Sequence, residues 1–144
     1  MTKYVAGLLF SEDKRSVALI HKKHGPSHLV GLWNAIGGKI KDGESHYQAM
    51  VREFEEETGR RIETWDYFLL LSSQDRTVDF FVAFSPDCTT SHLRTMTDEE
   101  VDIFDANEAV LLAIHHEGIV VPNIGWIIPM ALFGSRGRFC FVKE

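Results

Sequence analysis

The sequence predicts a single α/β domain with a mostly β core and few helices. Three observations predict it. The chain has 144 residues, one domain's worth, and its hydrophobic share of 44% and charged share of 25% are ordinary for a soluble globular fold. Most apolar residues fall in short β-rich runs bounded by turn signals. One segment, Ser45 to Thr58, switches to helical spacing. No internal repeat, low-complexity tract or linker divides residues 1–144.

Taken in order, Tyr4–Phe10 and Ser16–His21 read as two strands joined by the charged turn Ser11-Glu12-Asp13-Lys14-Arg15. His24–Gly31 reads as a loop around Gly25-Pro26-Ser27, and Leu32–Ile36 as a short strand ending at Gly37-Gly38. In the next segment Tyr47, Met50, Val51, Phe54 and Thr58 form one helical stripe, with Ser45 as N-cap and Gly59 where a left-handed C-terminal residue belongs. Thr64–Leu71 and Val78–Phe84 read as an antiparallel pair, and Val101–Phe104 as a further strand. Asn107–His116 has helical composition, ended by Gly118. Pro122–Leu132 reads as a last helix despite Pro129 inside it, and Phe139–Val142 as a closing strand.

The formal net charge of -6 argues against a long nucleic acid as partner, but not against a small phosphate ester, because a bound cation reverses the local field. Cys88 and Cys140 make neither a disulfide framework nor a zinc pattern and read as free thiols of a reducing compartment. The apolar run Val5–Phe10 is too short for a signal peptide. Trp126–Phe133 is too short to span a bilayer. The expectation is a cytoplasmic protein with no membrane partner, either monomer or homodimer.

The segment Gly38 to Gly59 carries the chemistry. At about 100° per residue, Glu53, Glu56 and Glu57 share less than a third of the helix circumference. Like charges at these spacings destabilise a helix by a few tenths of a kcal/mol per pair, roughly, and the C-terminal dipole disfavours anions there too. A cation would compensate both penalties, and carboxylate oxygens suit Mg²⁺ or Mn²⁺. The apolar stripe lies roughly 110–120° away, so the helix can bury Met50, Val51 and Phe54 while presenting its acids to a cleft. Ala49, on the acid face, leaves room for close approach. Glu55 points away and receives no role. Arg52 pairs with Glu56 at i,i+4, is placed to reach Glu44, and can fix the acids' orientation. For Glu55-Glu56-Glu57 alone, a solvated acidic face would be the better reading.

The whole spacing changes that reading. Gly38, five residues, Glu44, seven residues, then Arg52-Glu53, apolar Phe54, Glu56-Glu57 and Gly59 resembles the Nudix box. One position departs: Arg60 stands where an aliphatic residue is usual, and Ile62 is the candidate to replace its packing. The resemblance implies an α/β/α sandwich around a mixed β-sheet with a loop-helix-loop catalytic motif, and hydrolysis of nucleoside diphosphate derivatives with Mg²⁺ or Mn²⁺. It also implies that Glu53, Glu56 and Glu57, with the Gly38 carbonyl, are metal ligands. Glu44 would pair with Arg52 and, with Gly59, serve the motif's structure. Glu53 and Glu56 are candidate bases on the helix. Glu99 and Glu100, in Thr97-Asp98-Glu99-Glu100, are candidates from a distant loop, with Glu100 the expected catalytic acid of the two; the alternative for that run is a solvated turn.

Leu32-Trp33-Asn34-Ala35-Ile36-Gly37-Gly38-Lys39 resembles the MutT-like branch that acts on nucleoside triphosphates, including oxidised purine nucleotides. Asn34 carries both donor and acceptor and suits a purine edge, with a loop cap as the alternative. Trp33 reads as core. Lys39, Lys22 and Lys23 are candidate phosphate contacts, each with an ordinary surface lysine as the alternative. Trp126 is a candidate for stacking on a base, with core packing as its alternative. The leading expectation is a pyrophosphohydrolase that releases a nucleoside monophosphate and pyrophosphate. A pyrophosphatase acting on ADP-ribose, a dinucleotide or a nucleotide sugar is the second. A non-catalytic nucleotide-sensing module is the third.

Overall fold

The computed structural model describes residues 1–86 and 92–134, and the backbone of 139–142. The strands are β1 (Thr2–Ser11), β2 (Ser16–His21), β3 (Trp33–Asn34), β4 (Ile36–Lys39), β5 (Asp66–Ser72), β6 (Arg76–Ser85), β7 (Val101–Asp105) and β8 (Phe139–Val142). The helices are α1 (His46–Thr58), α2 (Ala106–Ile114) and α3 (Ile124–Phe133). The described strands form one mixed sheet in the order β3-β2-β1-β6-β5-β8, with β4 also paired to β1 and β7 to β2. β1 and β6 run parallel over ten residue pairs, whereas β5–β6, β1–β4 and β2–β7 are antiparallel. Strands sequentially so distant can pair in parallel because α1 and β5 supply the crossover between β1 and β6.

Both faces of the sheet are covered, which explains the near-continuous apolar runs of β1, β2 and β6. Along β1, Val5 and Leu9 pack toward α1 while Ala6, Leu8 and Phe10 pack toward α2 and α3. β2 alternates in the same way, with Ala18 and Ile20 facing α1 and Val17 and Leu19 the other helices. The molecule is therefore an α/β/α sandwich in which, among the described residues, α1 is the one helix on its side. Helix α1 buries Ala49, Met50, Val51, Phe54 and Thr58. Phe54 lies edge-on to Trp65 with ring centroids 5.1 Å apart. Ile62 joins this cluster and supplies the apolar contact that Arg60 does not.

Several boundaries differ from the sequence expectation. The strand expected at Leu32–Ile36 is two strands, broken at Ala35, whose N–H donates to the Asn34 side-chain oxygen at 2.8 Å. Gly37 and Gly38 lie inside β4 rather than ending a strand. Tyr47, counted in the apolar stripe, is exposed, and its hydroxyl instead donates to the Glu63 carbonyl. Helix α2 stops earlier than expected, at Ile114, with His116 in the left-handed region at φ 51° ahead of Gly118. Helix α3 continues through Pro129. The expectation of two free thiols concerns Cys88 and the side chain of Cys140, both outside the described residues. Among the described residues no helix is long and apolar enough to cross a membrane.

Candidate active site

The loop between β4 and α1 is built for a sharp reversal. The Glu44 N–H donates to the Lys41 carbonyl at 3.1 Å, and Gly43 sits at φ 78°, a conformation open to glycine at little cost. Ser45 then caps α1 through a capping box: its hydroxyl accepts from the Gln48 N–H, and the Gln48 side chain accepts from the Ser45 N–H. At the other end the Gly59 N–H donates to the Glu55 carbonyl from a left-handed conformation. The helix that carries the acids is thus fixed at both ends by residues local to the motif.

Arg52 is the hub. Its guanidinium grips Glu44 in two places, Nε to Oε2 at 2.7 Å and Nη2 to Oε1 at 2.9 Å. It also donates to the Lys39 carbonyl at 2.9 Å, to Glu53 Oε1 at 2.7 Å and to Glu56 Oε2 at 3.2 Å. One planar cation therefore joins the end of β4, the loop and two helix acids. The hydrogen bonds from Arg52 hold the Glu44 carboxyl down at about 2, against a burial effect that raises it. Arg52 itself is shifted upward by the same pairing.

Glu53 lies directly against Gly38. A Cβ built on Gly38 would stand 2.5–2.6 Å from the Glu53 carboxyl carbon and oxygens, so only glycine leaves space for the acid there. Glu56 is the outermost of the three, its side chain 51% exposed. Glu57 turns toward the loop before β7, where the Thr97 hydroxyl donates to its Oε2 at 3.0 Å. Burial pushes the Glu57 carboxyl up, opposed by that hydrogen bond and reinforced by the nearby Glu99.

In this arrangement Glu53 and Glu56 face Arg52 and Glu57 faces Thr97, so among the described residues no three acids already stand at metal-binding spacing. The donor set nonetheless fits a hard divalent ion. Glu53, beside the Gly38 backbone, and Glu57 are carboxylates one helical turn apart, and burial raises the Glu57 carboxyl despite its hydrogen bond from Thr97, a cost a cation would relieve.

The remaining candidates scatter more widely. Asn34 pairs across the sheet with Ile20, which packs on the α1 side, so Asn34 belongs to the face that carries the acids. Its oxygen caps Ala35, as the loop-cap alternative had it. Trp33 packs on the opposite face between His21 and Phe104, at centroid distances of 5.0 and 4.9 Å. Lys39 and Lys23 are exposed. The structure places Trp126 on α3, in the helix layer across the sheet from α1, and does not bring it to the carboxylates. Glu100 is exposed, its carbonyl accepting from the His21 N–H at 2.8 Å.

Sequence reasoning did not anticipate how Glu99 would be held. This neighbour of Glu100 is only 5% exposed and bonds to Lys22 and to two backbone N–H groups of the loop after β2. Burial raises its carboxyl, but those three hydrogen bonds outweigh burial and leave it below the ordinary carboxylate range. Thr97, the hydroxyl that holds Glu57, carried no sequence signal beyond its place in the acidic run.

Comparison with known proteins bears on the family and the fold. The family model for the NUDIX domain matches residues 1–121. An ADP-ribose pyrophosphatase of Methanocaldococcus jannaschii is 30% identical over 126 residues, covering 85% of this chain and 72% of that protein. An 8-oxo-dGTP diphosphatase of Proteus vulgaris is 40% identical over 47 residues, covering 33% of this chain and 42% of that protein. The solved structure of a MutT protein from Bacillus halodurans superposes with a TM-score of 0.71 at 20% identity, covering 99% of this chain and 91% of that one, and so agrees in fold. With the box residues gathered around Arg52 and the family model spanning most of the chain, this protein belongs to the Nudix family of hydrolases.

Proposed function

We propose that this Nudix hydrolase converts a nucleoside triphosphate, an oxidised purine nucleotide among the candidates, to the monophosphate and pyrophosphate, using Mg²⁺ or Mn²⁺. The observation that carries the reading is the Arg52 hub, which joins Glu44, Glu53 and Glu56 and holds Glu53 against Gly38, with Glu57 one turn further along the same helix. In our reading Glu53, Glu56, Glu57 and the Gly38 carbonyl hold the divalent ion. When bound, such an ion neutralises the phosphate chain and acidifies the attacking water. Arg52 orients Glu53 and Glu56, and either of these acids accepts the proton. We favour Glu53, the more enclosed of the two, over Glu56 and over the outlying Glu100.

Asn34 supports a purine substrate because it lies on the acid-bearing face, with its amide N–H₂ still to direct. Lys23 is an exposed cation that suits the phosphate chain. Lys39 is also exposed, but it pairs with Tyr4, on the sheet face opposite α1, so Lys39 and Trp126, from its place on α3, are the weaker substrate assignments. A second reading, hydrolysis of ADP-ribose or a related dinucleotide or nucleotide sugar, draws support from the pyrophosphatase that is 30% identical over 126 residues.

The two readings separate by product. A turnover panel of normal and oxidised triphosphates, ADP-ribose and dinucleotides, with each metal, is expected to give pyrophosphate from a triphosphate as the fastest reaction. Two phosphate-bearing fragments from ADP-ribose, without pyrophosphate from any triphosphate, would replace the first reading with the second.

A further inference from the structure

In the acidic run before β7, Thr97, Asp98 and Glu100 are exposed, whereas Glu99 is 5% exposed. A carboxylate is buried at a large desolvation cost unless it is paired and hydrogen-bonded. Glu99 is both. Its Oε1 accepts from Lys22 Nζ at 2.8 Å, and its Oε2 accepts from the backbone N–H of Lys23 at 2.7 Å and of His24 at 3.2 Å. Three of the roughly four acceptor sites of a carboxylate are thereby taken. A second strap runs alongside, from the His24 ring to Asp98 Oδ2 at 2.6 Å.

The same loop grips the catalytic helix with its other side. The Arg94 N–H donates to the Thr58 carbonyl at 3.0 Å and the Met96 N–H to the Glu57 carbonyl at 3.3 Å. Thr97 stands between the two acids: its hydroxyl donates to Glu57 Oε2 at 3.0 Å and accepts from the Glu99 N–H at 3.1 Å. Residues 94–99 thus form a strut with one foot on the acid end of α1 and the other on residues 22–24. Lys22 is drawn inward, its side chain 22% exposed, while Lys23 keeps its side chain free and only its backbone pinned.

We propose that Glu99 is a positioning residue that ties the cationic segment Lys22-Lys23-His24 to the Glu57 end of α1, and so presents Lys23 to the phosphate chain of a substrate. The two lysines take different tasks: Lys22 is the counter-ion that lets Glu99 be buried, and Lys23 is the contact. The strut follows from contacts within the protein alone; the presentation of Lys23 to substrate rests on the phosphoanhydride reading above.

The test uses Glu99→Gln, which keeps one acceptor oxygen, and Glu99→Ala, which keeps none, with Lys23→Ala alongside. Three readouts apply: amide hydrogen exchange at Lys23 and His24, the Kd for inorganic tripolyphosphate with Mg²⁺, and kcat with KM on the best substrate. In Glu99→Ala the two amides are expected to exchange at least about tenfold faster, and tripolyphosphate Kd and KM to rise about tenfold, with kcat within about threefold. Glu99→Gln should fall between this and wild type, and it serves if Glu99→Ala does not fold. Lys23→Ala should raise Kd by a similar factor without changing amide exchange. Unchanged exchange in both Glu99 variants would overturn the strut. Faster exchange with unchanged Kd would overturn the positioning role. A kcat loss of about a hundredfold at constant KM would make Glu99 part of the chemistry and overturn the proposal. Absence of turnover in the wild type would count against the pyrophosphohydrolase reading, while exchange and tripolyphosphate binding would still decide this one.

Discussion

Replacing Gly38 with alanine separates stability from catalysis in this protein. The added Cβ would lie 2.5 Å from the Glu53 carboxyl carbon, where ordinary contact begins near 3.4 Å, so the carboxyl must retreat by about 0.9 Å. The atoms it meets are the far end of a side chain rather than backbone, so the fold can yield at the low end of the roughly 1–3 kcal/mol typical of overpacking. Catalysis cannot yield in the same way, because a misplacement near 1 Å costs on the order of a hundredfold when a catalytic group must hold its position. Glu53 would also be pulled from its bond to Arg52. The expected result is a kcat/KM lowered by about a hundredfold with unfolding free energy lowered by only about 1 kcal/mol. Steady-state kinetics beside urea denaturation measures both. Activity within a few-fold of wild type would refute the close packing of Glu53 on Gly38 as a catalytic requirement.

Other consequences are as direct. The Glu44 carboxyl is depressed to about 2 from 4.5, so its pairing with Arg52 stabilises the fold above about pH 4.5 and is lost as pH falls toward 2. Glu44→Gln should therefore cost about 1–3 kcal/mol at pH 7 and much less at pH 2.5; an equal cost at both would show that the ion pair is not the source. Phe54→Ala, which empties the centre of the α1 cluster, should lower stability by about 3–5 kcal/mol in chemical denaturation, and a loss under about 1 kcal/mol would contradict its full burial. Glu100→Gln should leave the pH dependence of kcat/KM unchanged, since the reading assigns the proton acceptor to the acids of α1; loss of a basic group from that profile would move the proton acceptor to the loop.

What could be read from the sequence was what depends on neighbours along the chain. The stripe Met50, Val51 and Phe54, the Ser45 cap and the Gly59 stop are all set by helix periodicity and end chemistry, and they place Glu53, Glu56 and Glu57 on one side of α1. The pairing of Arg52 with Glu44 spans only eight residues and follows from the motif's spacing. What could not be read depends on distant partners. Glu99 and Glu100 are chemically alike and adjacent, and only the donors at Lys22, Lys23 and His24, 75–77 residues earlier, decide that Glu99 is the one buried. The break at Ala35 arises because a side chain, Asn34, takes the N–H that a continuous strand would use, a competition invisible to apolar patterning. Tyr47 fits the helical period, yet its hydroxyl finds the Glu63 carbonyl at the rim instead of the core.

The most direct test of the account is pyrophosphate release by wild type and by Glu57→Gln across a titration of Mg²⁺, with EDTA as the zero point. Turnover should vanish with EDTA, return with the ion, and fall by about a hundredfold or more in Glu57→Gln with a shifted Mg²⁺ dependence. Full activity of Glu57→Gln, or turnover that persists in EDTA, would contradict the claim that the acids of α1 assemble a divalent-ion site for phosphoanhydride cleavage.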